Sequence, residues 1–127
     1  MDEAHQMKTI IAGSRNIKDS KAEIFDALTI YFYGKRPLEV VSGCARGVDT
    51  YGEEWAKENG VTVKRFPANW DKHGKKAGYL RNLEMGNYAD EAIIFWDGES
   101  PGTRNMIEIM KKLGKPVYFL WTPRNFK

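Results

Sequence analysis

Short apolar runs and amphipathic stretches alternate along almost the whole of this chain. The apolar runs have the length of strands, and a helix between each pair of strands predicts a parallel sheet, because every crossover returns the chain to the same end of the sheet. We therefore predict an α/β fold: a Rossmann-like, doubly wound domain with helices on both faces of a mainly parallel sheet of about five strands. The predicted strands are 8–12, 38–41, 61–66, 91–96 and 116–121.

Four stretches with the apolar period of a helix connect these strands. In the third we expect Leu80, Leu83 and Met85 to form the buried stripe, and at the start of the fourth we expect Thr103 to act as the N-cap. The polar, glycine-containing segment 67–78 is predicted to be a loop. The predicted helices are 19–33, 46–59, 77–88 and 103–113.

Length and composition limit the classes of protein to which the chain can belong. Its 127 residues make about one domain, and 42% hydrophobic residues suffice for a packed core. One cysteine excludes a disulfide framework, and two histidines leave little for a metal site, so no metal is predicted. No apolar run approaches the ~18 residues of a membrane span. We expect a soluble, cytoplasmic protein with a disordered N-terminus (1–6), a folded domain (7–121) and a C-terminal tail (122–127).

The loops that follow the strands are expected to carry the functional residues, because ligands of open α/β sheets bind beyond the carboxyl ends of the strands. The first loop contains Gly13, Ser14 and Arg15, which offer a close backbone approach, a hydroxyl and a bidentate phosphate ligand. It matches neither a dinucleotide fingerprint nor a P-loop. By itself, such a Gly-Ser pair is equally typical of an ordinary turn.

The second loop has two glycines, Gly43 and Gly47, four positions apart at a strand-to-helix junction. This spacing is expected to leave free N–H groups at the helix start, where an anion can bind, and Arg46 would add positive charge. Asp49 is open to two interpretations, contact with a ligand or stabilisation of the first helical turn. Cys44 is interpreted as a small, unreactive packing residue, since no histidine lies near it in the sequence.

The third loop, 69–78, holds three lysines and His73 around Trp70, and it leads into Arg81 and Asn82. Basic residues around an aromatic ring are typical of a site for phosphates or for a nucleic-acid strand. The same composition is also typical of a solvated surface loop. Arg81 and Asn82 favour a site, because they lie in the first turns of the next helix at the same end of the sheet.

In the fourth loop, Asp97 precedes a Pro-Gly-Thr turn in which Gly102 gives a close backbone approach and Thr103 a hydroxyl. An N-cap explains the threonine, but it explains neither the glycine nor Arg104. The four loops converge at one end of the sheet, and each brings an arginine: Arg15, Arg46, Arg81 and Arg104. Together they predict a site for a phosphorylated, nucleotide-like small molecule.

Four motifs in these loops resemble a known family. They are IIAGSR (10–15), VVSGCARGVDTYGEEWA (40–56), ANWDKHGKKAGYLRNLEM (68–85) and FWDGESPGTRNMI (95–107). They look like the SLOG superfamily of Rossmann-like nucleotide-binding domains, which includes the DprA proteins and the LOG phosphoribohydrolases. Within it, the chain from Met7 to Phe119 resembles the YspA-like, cpYpsA-related branch of bacterial and phage proteins. The resemblance implies a pocket lined by Gly13, Ser14, Arg15, Gly43, Arg46, Gly47, Asp49, Arg81, Asn82, Gly102 and Thr103. From their positions in the fourth loop, Asp97 and Arg104 join this set.

The chain departs from the LOG enzymes in the fourth motif. Those enzymes have a longer Pro-Gly-Gly-x-Gly-Thr sequence with a glutamate three residues after the threonine, where this chain has Met106. Cleavage of an N-glycosidic bond normally needs a carboxylate to stabilise the oxocarbenium ion and to activate water. Asp49, Asp97, Glu99 and Glu108 are candidate substitutes, and none occupies the family's catalytic position.

The sequence thus leads to one predicted function and two alternatives. The prediction is a nucleotide-binding module that acts as a sensor, sequestering protein or processing module, with a ligand resembling NAD, ADP-ribose or a cyclic nucleotide and no further cofactor. The alternatives are a LOG-like nucleoside-monophosphate N-glycosidase and a less favoured DprA-like binder of single-stranded nucleic acid. Three consecutive aromatic residues, Tyr31, Phe32 and Tyr33, also predict a homodimer or a higher homo-oligomer.

Overall fold

The computed structural model of the chain describes residues 7–120. Five parallel strands form one sheet in the order β3-β2-β1-β4-β5, which confirms the predicted Rossmann-like architecture. The strands are β1 (Lys8–Gly13), β2 (Glu39–Ser42), β3 (Thr62–Arg65), β4 (Glu91–Phe95) and β5 (Val117–Phe119). The predictions for segments 1–6 and 122–127, and for Trp121 in the last strand, lie outside the described residues.

Helices cover both faces of the sheet, as the period of the apolar residues predicts. The helices are α1 (Lys21–Tyr31), α2 (Val48–Glu58), α3 (Trp70–His73), α4 (Ala77–Tyr88) and α5 (Pro101–Lys112). Neighbouring residues of β1 point to opposite faces. Ile11 packs in the core with residues of α1 and α2, and Ile10 packs with residues of α4 and α5. Within residues 7–120, no helix has the length and apolar character needed to span a membrane.

Three local predictions are wrong. The segment 67–78 is not a plain loop, because it contains α3 and a 3₁₀ turn at Gly74–Lys76. Helix α5 begins at Pro101 with Ser100 as its N-cap, since proline is favoured in the first helical turn, so Thr103 lies inside the helix. In α4, Leu80 and Leu83 are exposed. Its buried residues are Ala77, Asn82, Met85 and Gly86.

Strands β1 and β4 are parallel neighbours, and the direction in which successive strands are added to the sheet reverses between them. From β1 the sheet extends through β2 to β3 on one side, and from β4 to β5 on the other. A crevice forms at the carboxyl ends of strands at such a switch point. Here Ser14 ties the two strand ends together: its N–H donates to the Phe95 carbonyl (3.0 Å), and its hydroxyl oxygen accepts from the Asp97 N–H (3.0 Å).

Candidate functional site

A cavity of about 70 Å³, called here the central cavity, lies in this crevice. Its walls come from the end of β1, the β2–α2 loop, α4 and the start of α5. The structure brings eight of the thirteen predicted residues to its lining: Gly13, Arg15, Gly43, Asp49, Arg81, Asn82, Gly102 and Thr103. The lining also contains residues that were not among the predicted thirteen: Ala12, Ala45, Met85, Ser100 and Met106.

Two glycines let backbone segments meet at the cavity. A Cβ atom on Gly13 would lie 2.1 Å from the carbonyl oxygen of Phe95, so only glycine fits between β1 and β4 at this point. Gly47 is the N-cap of α2 with φ +80, and a Cβ there would lie 2.7 Å from the carbonyl oxygen of Arg15. Gly47 therefore holds the first and second loops in contact without itself lining the cavity.

The β2–α2 loop binds its own side chains rather than leaving all its amides free. The Cys44 N–H donates to the Ser42 hydroxyl (3.1 Å), and the Ala45 N–H donates to Asp49 Oδ2 (3.2 Å). The prediction of free N–H groups is therefore wrong for these two amides. Cys44 also has φ +66, a left-handed conformation that is unusual outside glycine and is often found at functional sites.

Asp49 is a buried carboxyl in the wall of the central cavity, with only 6% of its surface exposed. It stabilises the start of α2 through Ala45, and it also lines the cavity, so the two interpretations of this residue are compatible. Burial raises the pKa of Asp49 to about 6, although the positive charge of Arg81 acts in the opposite direction. A Cβ on Gly43 would lie 3.0 Å from both Asp49 Oδ2 and Arg81 Nη1, so both charged groups adjoin this glycine.

Arg81 and Asn82 link α4 to the two neighbouring walls. Arg81 Nη1 donates to the Gly43 carbonyl, and Arg81 Nε donates to Asn82 Oδ1 (2.9 Å). Asn82 Nδ2 donates to the Gly102 carbonyl (3.2 Å) and to Asn105 Oδ1 (2.9 Å). These contacts explain why a polar residue takes a buried position in α4, and they hold Arg81 in place before any ligand binds.

The start of α5 forms the remaining wall. A Cβ on Gly102 would meet no atom within 4 Å, so this residue borders open space. Thr103 is buried, and its hydroxyl lies 3.3 Å from the Ser100 hydroxyl. Met106, at the position of the LOG glutamate, is buried and lines the cavity, so an apolar side chain replaces a carboxyl there.

Five predicted residues do not line the central cavity: Ser14, Arg46, Gly47, Asp97 and Arg104. Ser14 and Gly47 have the structural roles described above. Arg46 is exposed, and Arg104 lies over the Trp96 ring with its guanidinium carbon 5.1 Å from the ring centroid. Asp97 accepts hydrogen bonds from the N–H groups of Glu99 (2.8 Å) and Ser100 (3.0 Å), which lower its pKa and shape the loop before α5.

Of the cavity residues outside the predicted set, Ser100 is the one with a recognisable sequence signal. A serine directly before proline at the start of an amphipathic stretch is typical of an N-cap. Ala12, Ala45, Met85 and Met106 carry no such signal, because small and apolar residues of this kind also fill ordinary cores. Among residues 7–120, no group of three or more histidine, cysteine, aspartate or glutamate side chains is placed to hold a metal ion.

Residues 7–73 match the family described as YspA, cpYpsA-related SLOG family. The chain is 41% identical over 118 residues to the Gene 61 protein of Mycobacterium phage D29, a match that covers 87% of this chain and 93% of that protein. Its structure is similar to the X-ray structure of DNA processing protein A (DprA) from Streptococcus pneumoniae, with a TM-score of 0.70 and 18% identity. That similarity, which concerns the fold alone, covers 90% of this chain and 50% of the DprA chain, so the chain spans half its length. On the family match and the phage relative, the chain belongs to the YspA, cpYpsA-related SLOG family.

Proposed function

We propose that the chain binds a phosphorylated nucleotide or nucleotide derivative, resembling NAD, ADP-ribose or a cyclic nucleotide, in the central cavity, as a sensor, sequestering or processing module. The observation that carries this proposal is the presence of two arginines, Arg15 and Arg81, and one buried carboxyl, Asp49, in a single cavity at the switch point of the sheet. Guanidinium groups bind phosphate, and a carboxylate accepts hydrogen bonds from ribose hydroxyls. Membership of the SLOG family supports a role with nucleotides or nucleic acids in general.

The two arginines would contribute differently. Arg81 is held by the Gly43 carbonyl and by Asn82, and burial lowers its pKa. Such a pre-positioned guanidinium loses little side-chain entropy when a phosphate binds. Arg15 is exposed at the edge of the cavity and would close over the phosphate from the solvent side.

The first experiment is mass spectrometry of the metabolites retained by the native purified protein, followed by calorimetry with the nucleotide found. Arg15→Ala and Arg104→Ala form a matched pair, because both remove an exposed arginine and only Arg15 lines the central cavity. We expect Arg15→Ala to weaken binding about 10-fold at low salt, less at high salt, and Arg104→Ala to leave it unchanged. Equal effects of the two variants would contradict the placement of the phosphate.

Hydrolysis is the second candidate, and Asp49 is the observation that favours it. It is the one carboxyl among the described residues that lines the central cavity, and its pKa of about 6 suits proton transfer near neutral pH. Incubation with nucleoside monophosphates and NAD, followed by chromatography for the free base, tests this activity. Release of base that is lost in Asp49→Asn would establish an N-glycosidase. The absence of free base would rule out this hydrolysis and leave nucleotide binding as the only activity.

Nucleic acid is the third candidate, and the salt dependence of binding separates it from a small ligand. Contact with many phosphates releases many counterions, so the affinity for a single strand would fall steeply with salt. A single nucleotide held by two arginines gives a shallow dependence. We expect the shallow dependence, and a steep one with an oligonucleotide would favour a strand.

A further inference from the structure

A second cavity of about 140 Å³ adjoins the central one and shares four lining residues with it: Arg15, Gly43, Ala45 and Arg81. Its remaining lining residues are Cys44, Pro67, Ala68 and Trp70. The central cavity, at about 70 Å³, is far below the roughly 300–1,000 Å³ of sites that enclose a whole ligand. A cavity of this size has room for a phosphate and part of a sugar, so the rest of a bound nucleotide would extend into the neighbouring space.

Trp70 has the exposure and the position to receive that part of the ligand. The residue is 52% exposed. A Cβ atom on Gly78 would lie 3.5 Å from Trp70 Cη2 and 3.9 Å from Arg81 Nη2, so the indole and the guanidinium adjoin the same point of α4. A nucleotide carries a planar base at one end and a phosphate at the other, so an aromatic ring and an arginine side by side offer a partner for each.

Within residues 7–120, no other aromatic ring and no cation stacks on Trp70. Trp96 differs, because the guanidinium of Arg104 covers its ring. The backbone at Trp70 is also held in place, since the Asn69 side chain caps α3 by accepting from the Lys72 N–H (3.1 Å). Trp70 is thus a half-exposed aromatic ring on a fixed backbone position at the edge of the site.

We propose that Trp70 is the base-stacking residue of this site: the phosphate and sugar occupy the central cavity, and the planar base lies against the indole in the adjoining one. This inference rests on the proposed function and narrows it, because the ligand must then carry an aromatic base. Stacking is tolerant of base identity, since every base has a π-face. A sugar phosphate without a base would bind through the central cavity alone, and hence more weakly.

The test is calorimetry with two probes, AMP and ribose 5-phosphate, on the full chain and on Trp70→Ala, Trp70→Phe and Tyr79→Ala. Tyr79 is the matched control, because it is 53% exposed on the adjacent helix and lines neither cavity. We expect Trp70→Ala to weaken AMP binding roughly 5- to 150-fold and to change ribose 5-phosphate binding by less than about twofold. Trp70→Phe should lose less than Trp70→Ala, and Tyr79→Ala should match the unmodified chain. AMP should also quench tryptophan fluorescence in the unmodified chain and much less in Trp70→Phe.

The outcomes separate this inference from the proposed function. If both probes bind with equal affinity and Trp70→Ala leaves AMP binding unchanged, the stacking role is overturned while the phosphate site remains. Equal losses of AMP affinity in Trp70→Ala and Tyr79→Ala would also overturn it, because they would indicate a general disturbance of the surface. If neither probe binds, the proposed mononucleotide site fails, and the stacking role fails with it.

Discussion

At the scale of single residues, Asp49 couples the stability of the protein to pH. Its pKa is about 6 in the folded chain, because burial disfavours the charged form, against ~3.9 for an unperturbed aspartate. Between these values the folded state holds the proton more firmly than the unfolded state. This group therefore lowers the free energy of unfolding by about 2 kcal/mol as the pH rises from about 4 to about 6, and by about 3 kcal/mol in total once the pH is well above 6.

Asp49→Asn should remove this dependence, since the amide is neutral at every pH in the window. We expect the free energy of unfolding of Asp49→Asn, relative to the unmodified chain, to rise by about 2 kcal/mol between pH 4 and pH 6. Ligand affinity should fall by about 1–3 kcal/mol at the same time, because the carboxylate acceptor is lost. Urea unfolding at a series of pH values and calorimetry measure the two effects.

The control is Asp97→Asn, because the pH dependence of stability that Asp97 contributes has the opposite sign. Hydrogen bonds from Glu99 and Ser100 lower the pKa of Asp97, so its carboxylate stabilises the fold above pH ~3.9, and that contribution is lost as the pH falls through the folded pKa. Asp97→Asn should therefore be less stable than the unmodified chain at neutral pH and approach it in acid. A stability difference for Asp49→Asn that is the same at all pH values would show that its carboxyl is not desolvated.

Gly102 and Gly13 form a second contrast between single residues. Gly102 borders open space in the central cavity, so Gly102→Val should remain folded by circular dichroism and lose most of its nucleotide affinity. In Gly13→Val the new Cβ would meet the Phe95 carbonyl, so that variant should lose stability by several kcal/mol, on the order of 3 or more. Normal nucleotide binding by a folded Gly102→Val would place the ligand elsewhere.

At the scale of elements, the sequence predicts what depends on local pattern. The predicted third helix, 77–88, has the bounds observed for α4, and β1 to β4 begin and end within one residue of their predicted bounds. Strand β5 is shorter than the predicted 116–121. Helix α3 has no sequence signal from its apolar residues, because one turn of helix is too short to show an apolar period. The asparagine directly before it, Asn69, is of a type that is favoured at N-caps. Long-range packing decides the rest: hydrogen bonds to α5 hold Asn82 at a buried position while Leu83 is exposed, and no sequence period reports such contacts.

The same distinction holds for the candidate site. Glycine-bearing loops after parallel strands predict where a cavity forms, and the cavity is found there. Which arginines reach it depends on tertiary contacts, because Arg104 instead stacks on Trp96 and Arg46 is exposed. Asp49 likewise adjoins Arg81 of α4, a residue far from it in the sequence, at the Gly43 wall of the cavity.

Lys115 stabilises the end of α4 from outside that helix. Its ammonium donates to the carbonyls of Gly86 (2.8 Å), Asn87 (3.3 Å) and Ala89 (2.7 Å). These carbonyls lie at the negative end of the helix, where a cation is favourable. We expect Lys115→Met to lower the free energy of unfolding by about 2 kcal/mol without changing nucleotide affinity, as measured by urea unfolding and calorimetry. Lys18→Met, which removes an exposed lysine outside the helices, should change stability by less than about 0.5 kcal/mol, and an equal loss there would contradict the capping role.

At the scale of the whole molecule, the predicted homodimer would use the end of α1. Phe32 is buried in the core, but Ile30 and Tyr33 are 76% and 86% exposed, which leaves an apolar surface for a second copy. We expect light scattering to give a dimer for the unmodified chain and a monomer for the double variant Ile30→Glu, Tyr33→Glu. Leu113→Glu, on the other face of the sheet, should remain dimeric. A monomer for the unmodified chain at high concentration would remove this prediction.

Binding of a nucleotide at the carboxyl ends of β1 and β4 can be tested by an NMR titration of the ¹⁵N-labelled chain with AMP. We expect the amide signals of Gly13, Gly43 and Gly102 to shift together and to saturate with one dissociation constant. Lys8 and Asp90, at the opposite end of the sheet, should not shift. Shifts confined to that opposite end, or no shift at the three glycines on saturation, would show that AMP does not bind at the ends of β1 and β4.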